Sequence, residues 1–100
     1  MKLVDEFAPI RVLALKKGIY DHGDIKTQTL KLQEEVGELS KAVLNEDENE
    51  IIDAIGDCVV VLTSIAKFQG VFIEDCINEA YAVIAKRKGK MKNGTFVKEQ

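Results

Sequence analysis

Apolar residues recur at helical spacing along most of this chain. Between about Thr27 and Leu44 they fall at Leu32, Val36, Leu39 and Val43, the i, i+4, i+7, i+11 stripe of an amphipathic helix. Upstream, Phe7 to about Lys17 predicts a shorter helix opened near Pro9, a residue that a first turn tolerates. Gly18–Asp24, with two Gly and two Asp, predicts a connecting loop. Asn45–Asn49 is a polar break whose acidic residues suit the N-terminus of the helix that follows. That helix, from about Glu48 to Phe68, carries one stripe at Ile55, Val59, Leu62 and Ala66. Cys58, Val60, Val61 and Ile65 spread its apolar surface nearly around the axis, which predicts a helix surrounded by protein. Gln69-Gly70 closes it, and a last helix from about Ile73 to Lys86 is expected to turn Ile77, Tyr81 and Ile84 inward. The tail beyond Gly89 is expected to hold a short extended segment around Thr95-Phe96-Val97. The predicted architecture is all-α and four-helix bundle-like, one domain over residues 1–100 with short connections between antiparallel neighbours.

Composition narrows the function. The chain is 46% hydrophobic and 31% charged, an ordinary globular balance, and one Pro with seven Gly leaves too little turn material for a β-sandwich. A net charge of −3 argues against general nucleic-acid binding and leaves room for a local phosphate site. Asp5 and Glu6 interrupt the apolar stretch a signal peptide needs, and the longest apolar run, Cys58–Ala66, is too short to cross a bilayer. The expectation is a cytoplasmic protein with neither nucleic acid nor membrane as partner. Cys58 and Cys76 lack CxxC spacing and sit among apolar residues, so both read as reduced, buried thiols. His22 is the sole histidine, which excludes a zinc helix, a His-rich cluster and a Glu-x-x-His di-iron pair. It stands in the turn-like Tyr20-Asp21-His22-Gly23-Asp24 and reads as an exposed loop residue. Any chemistry therefore falls to carboxylates.

From Glu34 to Asp57 there are nine acidic residues against one basic residue, Lys41. Glu34, Glu35 and Glu38 share the second helix; Glu50, Asp53 and Asp57, at i, i+3 and i+7 of the third, fall within about a 60° sector of that helix. Glu34-Glu35-Val36-Gly37-Glu38 and Asp53-Ala54-Ile55-Gly56-Asp57 repeat one template, acid–any–apolar–Gly–acid. A mid-helix Gly costs about 1 kcal/mol relative to Ala, so two at the same offset point to close helix approach or to room for a ligand. If the two acidic faces meet, each carboxylate pair about 6 Å apart repels by roughly 3 kcal/mol at an effective dielectric near 20. A divalent cation reverses that sign, and oxygen donors without His or Cys suit Mg²⁺, with Mn²⁺ as a substitute. The competing reading is a solvated acidic face paired to lysines, and Lys31–Glu35 has the i, i+4 spacing for it. Lys86, Arg87, Lys88, Lys90 and Lys92 gather five of the fourteen basic residues in seven positions. They either complement a helix C-terminus or reach phosphate oxygens.

Lys31-Leu32-Gln33-Glu34-Glu35-Val36-Gly37-Glu38-Leu39, Asp57 before its apolar run, and the closing Arg87-Lys88-Gly89-Lys90-Met91 resemble the MazG-like all-α nucleoside triphosphate pyrophosphohydrolases. The likeness is to the small single-domain phage and bacterial members and spans about Gln28 to Glu99. It implies Mg²⁺-dependent conversion of a (deoxy)nucleoside triphosphate to monophosphate and pyrophosphate. It also implies a homodimer or homotetramer in which neighbouring chains help to form the site. The family's first motif maps onto Glu34, Glu35 and Glu38. Its second, ExxD, reads literally as Glu50-x-x-Asp53; aligned on the apolar run, its Asp is Asp57 and Ala54 stands where the family has Glu. Ala82 likewise stands where many relatives carry Asn. On this likeness Glu35, Glu38, Asp53 and Asp57 are the candidate metal ligands, and Glu34 and Glu50 the candidate catalytic residues that bind a further metal or activate water. Lys86 and Arg87 are candidate phosphate contacts. Two other readings fit the residues: a helical module that binds nucleotide or metal without turnover, and an oligomerisation protein with solvated acidic faces. Phe7, Tyr20, Phe68, Phe72 and Tyr81 can each stack on a base or fill a core.

Overall fold

A computed structural model describes residues 5–99. They form α1 (Ala8–Lys16), α2 (Ile19–His22), α3 (Ile25–Leu44), α4 (Glu48–Phe68), α5 (Ile73–Ile84), β1 (Gly89–Lys92) and β2 (Thr95–Lys98). Carboxylates set where the longer helices begin. Asp24 accepts from the Thr27 amide at 2.8 Å and from its hydroxyl at 3.0 Å, which starts α3 two residues before the expected Thr27. Asp47 accepts from the Glu50 amide at 3.2 Å and starts α4. One oxygen of Asp5 takes the amides of Phe7 and Ala8 ahead of α1, at 3.0 and 2.9 Å. Asp75 reaches back to the Phe72 amide at 3.3 Å and fixes the entry to α5.

Only Asn45–Asp47 joins α3 to α4, with Glu46 at φ 55°, so the two helices form an antiparallel hairpin. α4 is the hub: α1, α2, α3 and α5 all pack on it, α3 most extensively. The buried apolar positions are small or slim, Ala14, Ala42, Ala54, Val61, Ala66 and Ile73, and Thr63 and Ser64 are buried with them. Thr63 keeps its hydroxyl satisfied by donating to the Val59 carbonyl at 2.7 Å.

Several expectations change. The Gly18–Asp24 stretch holds the one-turn helix α2, docked through Tyr20, whose ring meets Phe68 edge-on at 6.0 Å. The last helix stops at Ile84 rather than Lys86, and the tail is an antiparallel hairpin rather than a lone extended segment. Asn93 and Gly94 at φ 52° and 82° make its two-residue turn and set Met91 opposite Phe96. The hairpin packs on no helix among the described residues.

Burial departs furthest from expectation. Ile52 is 71% exposed, and Ile55, Val60 and Leu62 are exposed as well, so α4 is covered on part of its circumference only. Ile77, Tyr81 and Ile84 face outward, Cys58 is half-buried and Cys76 exposed, both as free thiols. The physical reason is a shortage of partners: α5 packs against α4 and meets α1 only through Arg11 and Glu74, and no further helix among the described residues covers its apolar side. The radius of gyration, 16.0 Å, exceeds the about 13 Å of a compact hundred-residue domain. No described helix is long and apolar enough to cross a membrane.

Candidate functional site

The α3–α4 hairpin brings the two acidic motifs side by side. Glu35, with its side chain 13% exposed, faces Asp57 across the pair, and Lys31 reaches Glu35 at 3.2 Å and Glu34 at 3.5 Å. The i, i+4 pairing expected of a solvated face is thus formed, yet one lysine serves a group of carboxylates. Asp57 carries the consequence. Burial holds its pKa above the ordinary carboxylate value, and the charges of Asp53 and Glu35 push it further, with Lys31 offsetting only part. The Asp57 and Glu35 carboxyls are within hydrogen-bonding reach when one is protonated.

Glu38 and Glu50 lie in a neighbouring recess of about 310 Å³ with Asp47 and Lys41. The sector shared by Glu50, Asp53 and Asp57 is a matter of angle only. Seven residues of helix separate Glu50 from Asp57 by about 10.5 Å along the axis, which divides the trio between two recesses. The Glu34 side chain is 64% exposed and pairs with Lys31. No three acidic, His or Cys side chains among the described residues converge on one point. The donor set nevertheless suits a hard cation, being all carboxylate oxygen with repulsion that one lysine leaves uncompensated. Ala54, one turn before Asp57, is buried at the position where a glutamate would complete the second motif. Gly37 and Gly56 have no neighbouring atom within 4 Å of where a Cβ would stand, so close approach inside the chain does not explain either.

Lys86 and Arg87 border a separate depression on α5 with Glu79 and Ala82. α5 does not pack against α3, so within one chain these cations and the Glu34–Glu38 motif are not brought together. A feature absent from the motif reasoning lies on the other flank of α4. Asp53 and Asp57 open onto a cavity of about 690 Å³ bordered by Glu6, Phe7 and Ile10 at the start of α1. α1 is held there by Arg11, which pairs with both Glu74 oxygens at 2.7 and 3.0 Å and lies 5.0 Å from the centre of the Phe72 ring. No sequence spacing joins Phe7 to Asp57, which border one cavity from separate elements, or Arg11 to Glu74, which pair between distant helices. His22 is exposed as expected, but it ends α2 rather than standing in a loop.

The family model for the MazG nucleotide pyrophosphohydrolase domain matches residues 24–92, from the cap of α3 to the end of β1. Neither the curated proteins nor the solved structures compared with the chain give a match.

Proposed function

Since the chain belongs to the MazG nucleotide pyrophosphohydrolase family, we propose that it hydrolyses (deoxy)nucleoside triphosphates to monophosphate and pyrophosphate in a Mg²⁺-dependent reaction. The crowding of Asp57 by Asp53 and Glu35, with its raised pKa, is the observation that carries the reading. A solvated acidic face would leave each carboxylate at its ordinary value; a cation cradle accumulates repulsion that its ion relieves.

Glu35, Glu38, Asp53 and Asp57 would hold the ion, which when bound neutralises charge on the triphosphate and on the leaving pyrophosphate. Glu50 or Glu34 orients a water toward the α-phosphorus and accepts its proton. The new bond joins the water oxygen to the α-phosphorus, and the bond from that phosphorus to the α,β-bridging oxygen breaks, so pyrophosphate leaves with the electron pair. Lys86 and Arg87 contact outer phosphate oxygens. Their separation from α3 within one chain, together with the exposed apolar residues of α4 and α5, supports a homodimer or homotetramer that assembles the full set.

The test is pyrophosphate release from a panel of nucleoside triphosphates with Mg²⁺ and with EDTA. Metal-dependent release with monophosphate as co-product is expected, reduced at least about a hundredfold in Glu38→Gln and in Asp57→Asn. Release that persists in both variants would remove these residues from the site. A folded chain that binds Mg²⁺ and nucleotide without release would instead be a binding module.

A further inference from the structure

We infer that the cavity between the start of α1 and the middle of α4 receives the nucleobase, stacked on Phe7 and read by the Glu6 carboxylate as an acceptor of a base amino group. This deepens the proposed function and rests on it. The first support is placement. Asp53 and Asp57 border the cavity and also belong to the carboxylate set that faces α3, so a nucleotide with its phosphates at those carboxylates has its base end beside this space. Gly56 adjoins Asp57 on the lining, and no atom lies within 4 Å of its missing Cβ, which leaves helix backbone against which a flat ring can rest.

The second support is the chemistry of the walls. The volume, about 690 Å³, falls within the range of about 300–1,000 Å³ common to small-molecule sites. Phe7 and Ile10 of the α1 end face Ile52 and Val60 of α4 across it, an apolar slot with one aromatic face. Glu6, the charged lining residue outside the proposed ion ligands, is a carboxylate, and an ionised carboxylate only accepts hydrogen bonds. Cytosine offers it an amino donor where uracil offers a carbonyl acceptor. A carboxylate placed at the C4 substituent therefore favours the amino group of cytosine over the carbonyl of uracil or thymine, whose donor on that edge is the ring N3–H.

The third support is rigidity. Asp5 fixes the Phe7 and Ala8 amides, and the two-pronged Arg11–Glu74 pair ties α1 to α5, so the backbone that carries Phe7 is positioned before ligand arrives.

The experiment is calorimetric titration of the full chain with dCMP and with dUMP in Mg²⁺, probes that bind without being hydrolysed. The expected result is dCMP binding about tenfold tighter than dUMP, or ~1.4 kcal/mol. Phe7→Leu should weaken dCMP about tenfold at an unchanged melting temperature, and Phe7→Tyr should restore binding. Glu6→Gln, whose amide both donates and accepts, should erase the gap between the two ligands. Equal affinity of the native chain for dCMP and dUMP, absence of binding by both, native affinity in Phe7→Leu, or a gap that survives Glu6→Gln would each overturn the inference. Discriminating dCMP binding in a chain that releases no pyrophosphate would sink the catalytic reading and leave the base pocket standing. Pyrophosphate release without base discrimination would do the reverse.

Discussion

Asp57→Asn should make the metal-free protein more stable. In the native chain the Asp57 carboxylate is half-buried and faces the charges of Asp53 and Glu35, with Lys31 as partial compensation. Two unit charges about 4 Å apart interact by about 1 kcal/mol in water and about 4 kcal/mol at an effective dielectric of 20. Residual solvent contact at Asp57 places the relief near the lower figure, about 1 kcal/mol, which moves the melting temperature of a domain this size up by about 4–8 °C. Asn can also donate to Glu35, which the carboxylate cannot. The sign with pH follows from the raised pKa. The folded state binds the Asp57 proton more readily than the unfolded state, so the native protein regains stability as pH falls through the raised value, and its gap to the variant closes below the ordinary value of 3.8. Mg²⁺ should invert the order: at about a hundredfold excess over its Kd it adds about 2.7 kcal/mol to the native protein and much less to the variant. Scanning fluorimetry at one chain concentration, in EDTA and in Mg²⁺ at pH 7 and pH 4, measures all of this. A variant that melts lower in EDTA at pH 7, or a gap unchanged at pH 4, would refute the crowding argument.

Other substitutions probe the remaining features. Ala54→Glu places a charge at a buried position of α4, so it should melt lower in EDTA and recover in Mg²⁺; an equal penalty in both would show that the site has no vacant corner. Arg11→Lys cannot bridge both Glu74 oxygens and should lower the melting temperature, more at low salt than at high. Arg11 holds the Glu74 pKa below its ordinary 4.5, so that contribution is complete above 4.5 and lost as pH falls through the lowered value; a variant–native gap that stayed constant through acid would deny the pair its role. Ile77→Asp puts a charge on the exposed apolar side of α5 and should reduce the proposed oligomer to the 11.1 kDa monomer in light scattering; a native chain that already runs as monomer would refute the proposed assembly, and an oligomer unchanged in the variant would place its interface elsewhere.

The helices were legible because periodicity and capping agree. Leu32, Val36, Leu39 and Val43 mark α3, and Asp24 and Asp47 stand where free amides need an acceptor. The Asn93-Gly94 pair between two alternating stretches was also a readable hairpin signal, stronger than the extended segment drawn from Thr95-Phe96-Val97 alone. α2 was not legible, since a single turn is held by the distant Tyr20–Phe68 contact rather than by its own four residues. The candidate site was half readable. The angular grouping of Glu50, Asp53 and Asp57 came from the helix period, but the axial rise that sends Glu50 toward Glu38 needs the partner helix to become visible. The exposure of Ile55, Ile77 and Tyr81 was not legible because an apolar pattern specifies a face to be covered, without specifying whether the same chain covers it.

The two ties that close this fold differ greatly in chain separation, and that orders its assembly in time. α3 and α4 meet across a three-residue turn, so little loop entropy is spent before their contacts form. Arg11 and Glu74 are 63 residues apart, and their pair can close only after most of the chain has been arranged around α4. Chain separation alone therefore predicts that weakening the Asp47 cap slows folding, whereas weakening the α1–α5 clasp chiefly speeds unfolding, a contrast that stopped-flow folding and unfolding rates of the two variants would check.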